Sequence, residues 1–235
     1  MTAKDILKEL KPLGSEGYKK VMSTYGVKEP FYGVKIGDMQ PIRKRIRKDY
    51  QIALDLYATG NYDAMYLAGL IADDARMTRD DLRNWVSSAY CGPLCGSTVP
   101  AVAAGSPHGW ELAMEWIDAD SGLIAAAGWA TLACIVSVRP DPELDLPVLK
   151  RLLRRVVETI HQAPDVARYQ MNSFIIAVGS YVLPLTGDAM RAAEEAGPVT
   201  ADLGNNSCQV PFAPAYIEKV RKRGALGKKR KSAKC

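Results

Sequence analysis

The stretch SGLIAAAGWATLACIVSV, Ser121 to Val138, decides the fold. It runs without a charge, long enough for a marginal membrane span or for a helix enclosed at the centre of a helical protein. Composition separates the two readings. Ala, Gly, Ser and Thr dilute its hydrophobicity, and Arg139 is followed by no cationic cluster of the kind that flanks a span. Ala and Gly also let neighbouring helices approach closely, so the segment reads as a central helix covered on several sides. MNSFIIAVGSYVLPL, Met171 to Leu185, has the same character. Trp129, Phe174 and Tyr181 in these two segments are expected in the core, and no membrane partner is expected.

Outward from this centre the chain is punctuated by helix signals. Thr2 stands three residues before Asp5 and Thr78 three before Asp81, the spacing at which a hydroxyl and a carboxylate cap a helix start reciprocally. Leu82, Trp85, Val86 and Ala89 follow the second box at helical period. Ser106-Pro107 predicts another start, ahead of Trp110, Met114 and Ile117, and Thr186 opens a segment that Gly197 closes. Pro12, Gly14, Gly26, Gly60, Gly105, Pro140, Pro164 and Gly224 sit just past apolar runs, as helix stops do.

The segments between these signals make about a dozen helices, and starts at Asn61, Ser106, Asp120 and Asp165 recur at roughly 45 residues, the period of HEAT and armadillo arrays. The expected fold is therefore all-α: an α-α superhelix of HEAT-like, armadillo-type repeats over residues 1–224, with a basic, flexible tail at 225–235. One stretch breaks the helical pattern. Val199, Ala201 and Leu203 alternate, Gly204-Asn205-Asn206 reads as a turn, and Cys208 and Val210 resume, which predicts a β-hairpin at about 198–211.

Charge is distributed unevenly. The chain has 235 residues and a net charge of +5, yet nine of its 31 cations, and no acid, lie between Lys219 and Cys235. Residues 1–218 thus hold 22 cations against 26 acids and are net negative. A mildly acidic body with a basic tail suggests a polyanionic partner, although a charge run is also what a solvated terminus looks like.

Val34 to Tyr50, VKIGDMQPIRKRIRKDY, adds a second basic feature. Gly37-Asp38 is read as its cap, Met39, Ile42, Ile46 and Tyr50 form one stripe, and cations fill five of the six positions from Arg43 to Lys48. Cations near a helix C-terminus offset its dipole, so part of this charge is structural. LPVLKRLLRRVVETI, from Leu146, places Lys150, Arg151, Arg154 and Arg155 opposite its apolar side. Arg43, Lys44, Arg47, Lys48, Lys150, Arg151, Arg154, Arg155, Lys222, Arg223, Lys228, Lys229 and Arg230 are the candidate contacts to a polyanion, through its phosphates. The alternative for each is an ordinary solvated helix face.

Other chemistry finds less support. Cys91 and Cys95 are not spaced as a tight metal knuckle, and only His108 and His161 are available to join them. Buried structural cysteine is the better reading, and no metal or cofactor is expected. Five irregularly spaced cysteines and no export-type N-terminus point to a reducing, cytoplasmic location. The pairs Asp73-Asp74 and Asp118/Asp120 suit helix ends better than acid-base catalysis, and no Gly-rich phosphate loop appears.

YGVKIGDMQPIRKRIRK (Tyr32 to Lys48), YDAMYLAGLIADD, GWELAMEWIDAD and GWATLACIVSV, taken as a series, resemble successive segments of the HEAT-like-repeat DNA alkylation repair superfamily, the AlkD type. VTADLGNNSCQVPFAPAYIEKVRKRG is similar to the ending of one of its branches. The resemblance implies an α-solenoid that holds DNA on a concave basic face. In glycosylase members it also implies an Asp that stabilises the oxocarbenium-like transition state and orients water, with Trp and Arg contacting deoxyribose and phosphate. Here the matching stretch SAYCGPLCGSTVP puts Gly96 at or near the Asp position, Tyr90-Cys91-Gly92-Pro93 replaces the Trp-rich turn, and Ala125 or Ala126 stands at the Arg. The chain is therefore closest to a branch without this machinery.

Three functions follow in order. The first is binding of damaged or branched DNA through phosphates, with no catalytic residue assigned. The second is an active N-glycosylase for N3- and N7-alkylated purines with relocated groups such as Asp118 or Asp120. The third is a protein-interaction scaffold, a role helical arrays also serve.

Overall fold

Both capping boxes form. The Thr2 and Thr78 side chains accept from the Asp5 and Asp81 amides, and each carboxylate bonds back to its threonine amide, opening α1 (Ala3–Leu10) and α6 (Arg79–Ser88). Asn61 caps α5 (Tyr62–Ile71), and Gly197, with φ 66°, ends α12 (Thr186–Ala196) in the left-handed conformation that favours glycine. The computed structural model describes residues 1–204 and 209–234, and among them thirteen α-helices form. The others are α2 (Glu16–Ser23), α3 (Ile36–Ile46), α4 (Tyr50–Tyr57), α7 (Val99–Gly105), α8 (Gly109–Trp116), α9 (Gly122–Val138), α10 (Leu146–Thr159), α11 (Asp165–Tyr181) and α13 (Ala213–Lys222).

The helices stack in two rows. In one, α3, α5, α7, α9, α11 and α13 pack in succession; in the other, α4, α6, α8, α10 and α12 back them. This is the α-α superhelix expected of HEAT-like repeats. Ser121–Val138 becomes α9, enclosed between α7, α8 and α11, and among the described residues no single helix is long and apolar enough to cross a membrane.

Small residues set that intimacy. A Cβ on Gly128 would lie 2.6 Å from the Ile117 amide nitrogen, a backbone atom, so the end of α8 can approach α9 this closely only because that position is glycine; one on Gly179 would lie 2.5 Å from Ile217 Cδ1 and would displace that side chain of α13. Trp129 and Phe174 meet across α9 and α11 with ring centroids 5.3 Å apart, both buried; Tyr181 is half-buried at the rim. The core runs from Ile6 to Ile217, and α8 and α9 contribute to both halves of it.

Four details depart from the expectations. Helix α3 begins at Ile36, after a Lys35 cap without a side-chain hydrogen bond, so Asp38 sits in the first turn and not at the cap. That helix ends at Ile46, and Tyr50 belongs to α4. Helix α8 starts at Gly109, because the Ser106 hydroxyl donates backward to the Ala103 carbonyl at 2.8 Å and finishes α7.

The third departure is the hairpin. Residues 205–208 lie outside the described residues, and the described flanks of the proposed 198–211 hairpin carry no strand. Their carbonyls are engaged by α11: Arg168 donates to Thr200 at 2.8 Å and Asn172 to Pro211 at 2.9 Å. Val199 and Val210 pack on the same core, so the apolar positions that suggested strand pairing anchor the two described flanks to the helices. The fourth is the tail, whose described residues 225–234 lie along the helical body in the manner set out below.

Candidate nucleic-acid interface

The basic helix α3 is held in place by an acid. Asp63, on α5 and fully buried, accepts from three consecutive amides of the loop before α3: Tyr32 at 2.5 Å, Gly33 at 3.2 Å and Val34 at 2.9 Å. Burial pushes its carboxyl upward, and the three amides oppose that shift. Met39 and Ile42 bury against the core, which turns Lys44, Arg47 and Lys48 to the exterior. Arg45 faces away and pairs with Glu9 at 2.7 Å. Arg47 closes the helix at φ 63°, a left-handed conformation unusual for a residue with a side chain.

Arg43, Lys44, Arg47 and Lys48 line a groove of about 800 Å³ whose floor includes Leu70, Gly105 and Val138, at the C-terminal ends of α5, α7 and α9. The far wall is the tail. Gly227 donates its amide to the Ser180 carbonyl on α11, and Arg230 its amide to Ser137 on α9, at 2.9 and 2.8 Å. Lys229 Nζ reaches the Val136 carbonyl (2.8 Å) and Asp141 (2.7 Å). Lys234 Nζ reaches the Ala72 carbonyl (2.7 Å) and Asp74 (2.6 Å).

Helix C-termini present unpaired carbonyls and partial negative charge, so a lysine-bearing chain crossing a row of them satisfies both. Part of the tail's charge is therefore consumed internally, at Lys229 and Lys234. Burial of Lys234 lowers its tendency to hold a proton, partly offset by Asp74.

A second groove, of about 600 Å³, lies over α9, α11 and α13. Tyr169, Tyr181 and Tyr216 line it with Arg223, Lys228 and Arg230, and no lining residue is acidic. Those three cations are exposed and make no ion pair among the described residues; Lys222, on α13, is exposed too.

The α10 cations are not brought to this edge. They belong to the other row, where Lys150 pairs with Asp188 at 3.1 Å. Arg155 pairs with Asp118 at 2.7 Å, donates to the Ile117 carbonyl at 3.1 Å and lies 5.7 Å from the centre of the Trp129 ring. Arg154 shares a cleft with Glu158, Asp188 and Glu195, and Arg151 is exposed.

No carboxylate occupies the position that the resemblance gives to the catalytic Asp. Gly96 lies in the π-helical turn Leu94–Thr98, and a Cβ there would collide with Gln170 Nε2, so that space is already filled from α11. Ala125 and Ala126 are buried, and Asp118 is engaged by Arg155 in the other row. Cys91 and Cys95 are buried free thiols, pushed by desolvation to about 11 and about 12, and are poor nucleophiles.

Against this geometry the comparisons are specific. A model of the family described as DNA alkylation repair enzyme matches residues 6–196. The chain belongs to the DNA alkylation repair enzyme family. It is 30% identical over 220 residues to the uncharacterized protein Lmo0209 of Listeria monocytogenes, covering 92% of this chain and 95% of the relative, with the same figures for Lin0241 of Listeria innocua. A solved structure at 34% identity and TM-score 0.92 covers both chains completely; it is described as a new family of proteins related to the HEAT-like repeat DNA glycosylases with affinity for branched DNA structures.

For this member of the DNA alkylation repair enzyme family, sequence reasoning missed Asp63, the lysine pairing of Asp74 and Asp141, and the tyrosine groove. A signal for the groove was present: Tyr169, Ser173, Ala177 and Ser180 recur at helical spacing on α11, a stripe of mostly small and polar residues beside the apolar positions Phe174, Ile175 and Val178.

Proposed function

We propose that this chain binds branched or damaged DNA through its phosphate backbone, along the edge made by α3, the helix C-termini and the basic tail, and that it does so without cleaving glycosidic bonds. The observation that carries the reading is the set of exposed cations, Lys44, Arg47, Arg223, Lys228 and Arg230, which have no acidic partner among the described residues. Clustered exposed cations displace condensed counterions from DNA, giving affinity without base sequence. The affinity of the structural relative for branched DNA supports the same partner. Gly96, Ala125 and Ala126, at positions where the glycosylases of the superfamily carry their polar groups, support binding over catalysis. The buried thiols at Cys91 and Cys95 support a cytoplasmic setting.

The test is an anisotropy titration with duplex, single-stranded and four-way-junction DNA at several salt concentrations. The reading expects binding whose logarithm falls linearly with the logarithm of salt. Absence of binding to every DNA would leave the protein-scaffold alternative, and release of free methylated purine from alkylated DNA would restore the glycosylase.

A further inference from the structure

The groove over α9, α11 and α13 has a chemistry that phosphate binding alone does not use. Its lining carries three cations, Arg223 at the close of α13 and Lys228 and Arg230 of the docked tail. Its walls are aromatic: Tyr216 on α13 is 46% exposed, and Tyr181 lies half-buried on α11. Gln170, Ser173 and Ser180 add uncharged polar groups to a lining that also holds Ala130, Ala133, Ile176 and Val220. Ser180 is 1% exposed, and its hydroxyl has no hydrogen-bond partner among the described residues, a deficit that a ligand's polar edge would relieve. Phe212, which precedes α13 outside the groove lining, is 51% exposed one turn before Tyr216.

We infer that this groove takes unpaired nucleobases from the branch point of a DNA, stacking them on Tyr216 and Tyr181 while Arg223, Lys228 and Arg230 hold the adjoining phosphates. The inference rests on the DNA-binding reading above and names the part of the DNA that this groove selects. Aromatic faces interleaved with cations are how single strands are held, because every base offers a π-face and every nucleotide a phosphate. A continuous duplex keeps its bases stacked on one another and offers only phosphates. Bases at a flap or an open junction are already unstacked, so no pairing energy opposes their transfer onto tyrosine. The absence of acid from the lining agrees with an anionic ligand, and the volume of about 600 Å³ is within the range of concave ligand sites.

The experiment uses the full chain and a flap DNA with 2-aminopurine in its unpaired arm, beside a fully paired duplex of equal length. The expected result is quenching of the 2-aminopurine on binding, together with an approximately tenfold loss of flap affinity in Tyr216→Ala, recovery in Tyr216→Phe, and duplex affinity unchanged within about twofold. Since the Tyr216 ring is largely at the surface, the variant is expected to fold, and an unchanged Tm checks that.

Wild-type protein that binds flap and duplex without quenching, or a Tyr216→Ala variant that weakens both DNAs equally or neither, overturns the inference and leaves phosphate binding standing. Wild-type protein that binds neither DNA overturns the DNA-binding reading itself.

Discussion

Helices α6, α10 and α12 carry cations along one row of the molecule, with α8 supplying acids between them, and α3 with the tail carries cations on the other row. Four cations of the first row are paired with acids of a neighbouring helix, while Arg151 is exposed. Arg79 pairs with Glu111 and Arg83 with Glu115 between α6 and α8, Arg155 with Asp118 between α10 and the end of α8, and Lys150 with Asp188 between α10 and α12. On the edge, Lys44, Arg47, Arg223, Lys228 and Arg230 face solvent. The lesson is that a count of lysines and arginines does not locate a polyanion site; what matters is which of them the neighbouring repeats leave without an acid.

The largest expected effect lies where the edge does hold an acid. Lys234 is only 9% exposed in its pair with Asp74, and removing one member of a buried pair leaves the other charge uncompensated. Lys234→Ala should cost roughly 3–5 kcal/mol, read as a lowered Tm, while the double change Lys234→Met with Asp74→Asn should recover much of it. If Lys234→Ala melts like the wild type, the tail does not tie down the edge and the comparison loses one side.

Second in size is the binding contrast itself. Arg43→Gln with Lys44→Gln and Arg47→Gln should weaken DNA binding about a hundredfold at moderate salt and reduce the slope of affinity against salt by about 2–3. The matching set on α10, at Lys150, Arg151, Arg154 and Arg155, should change affinity by less than about threefold, because two of those cations already serve carboxylates. Equal losses from both sets would place DNA against both rows and break the comparison.

How much of this the sequence revealed depends on the distance over which each feature is determined. Caps and stops are local, so Thr78, Asn61 and Gly197 identified α6, α5 and the end of α12 without help from the rest of the chain. Asp38 misled because a first-turn acid and a cap look alike from three residues away. The pairing of cations is not local: Arg79 finds Glu111 across 32 positions, and Lys234 finds the Ala72 carbonyl across 162. Composition therefore showed that the tail is basic, and only the stacking of helix C-termini showed which of its lysines are engaged. The described flanks of the 198–211 segment carry no strand for a similar reason, since Arg168 and Asn172 take the Thr200 and Pro211 carbonyls.

A smaller effect separates strain from charge at Arg47. With φ at 63°, a side chain there costs of order 1–3 kcal/mol, which glycine avoids at some cost in unfolded-state entropy. Arg47→Gly should be more stable than Arg47→Ala by about 1 kcal/mol in denaturant unfolding, while the two lose the same DNA affinity. A stability order of Ala above Gly would mean that the helix end relaxes to an ordinary conformation.

The smallest effect tests the paired row through pH. Lys150, then Arg191, hold the Asp188 carboxyl below its usual range. A carboxyl with a depressed folded pKa contributes stability that is fully present above its unfolded pKa of about 3.9 and is lost as pH falls through the folded value. The pair lies at the surface, so its contribution is under about 1 kcal/mol and is screened by salt. Wild type and Lys150→Ala should therefore differ slightly in Tm at neutral pH and low salt, and converge both in strong acid and in high salt. A difference that persists at pH 2 would show that Lys150 stabilises α10 through its aliphatic stem packed on the surface, and that the row is held by something other than its charges.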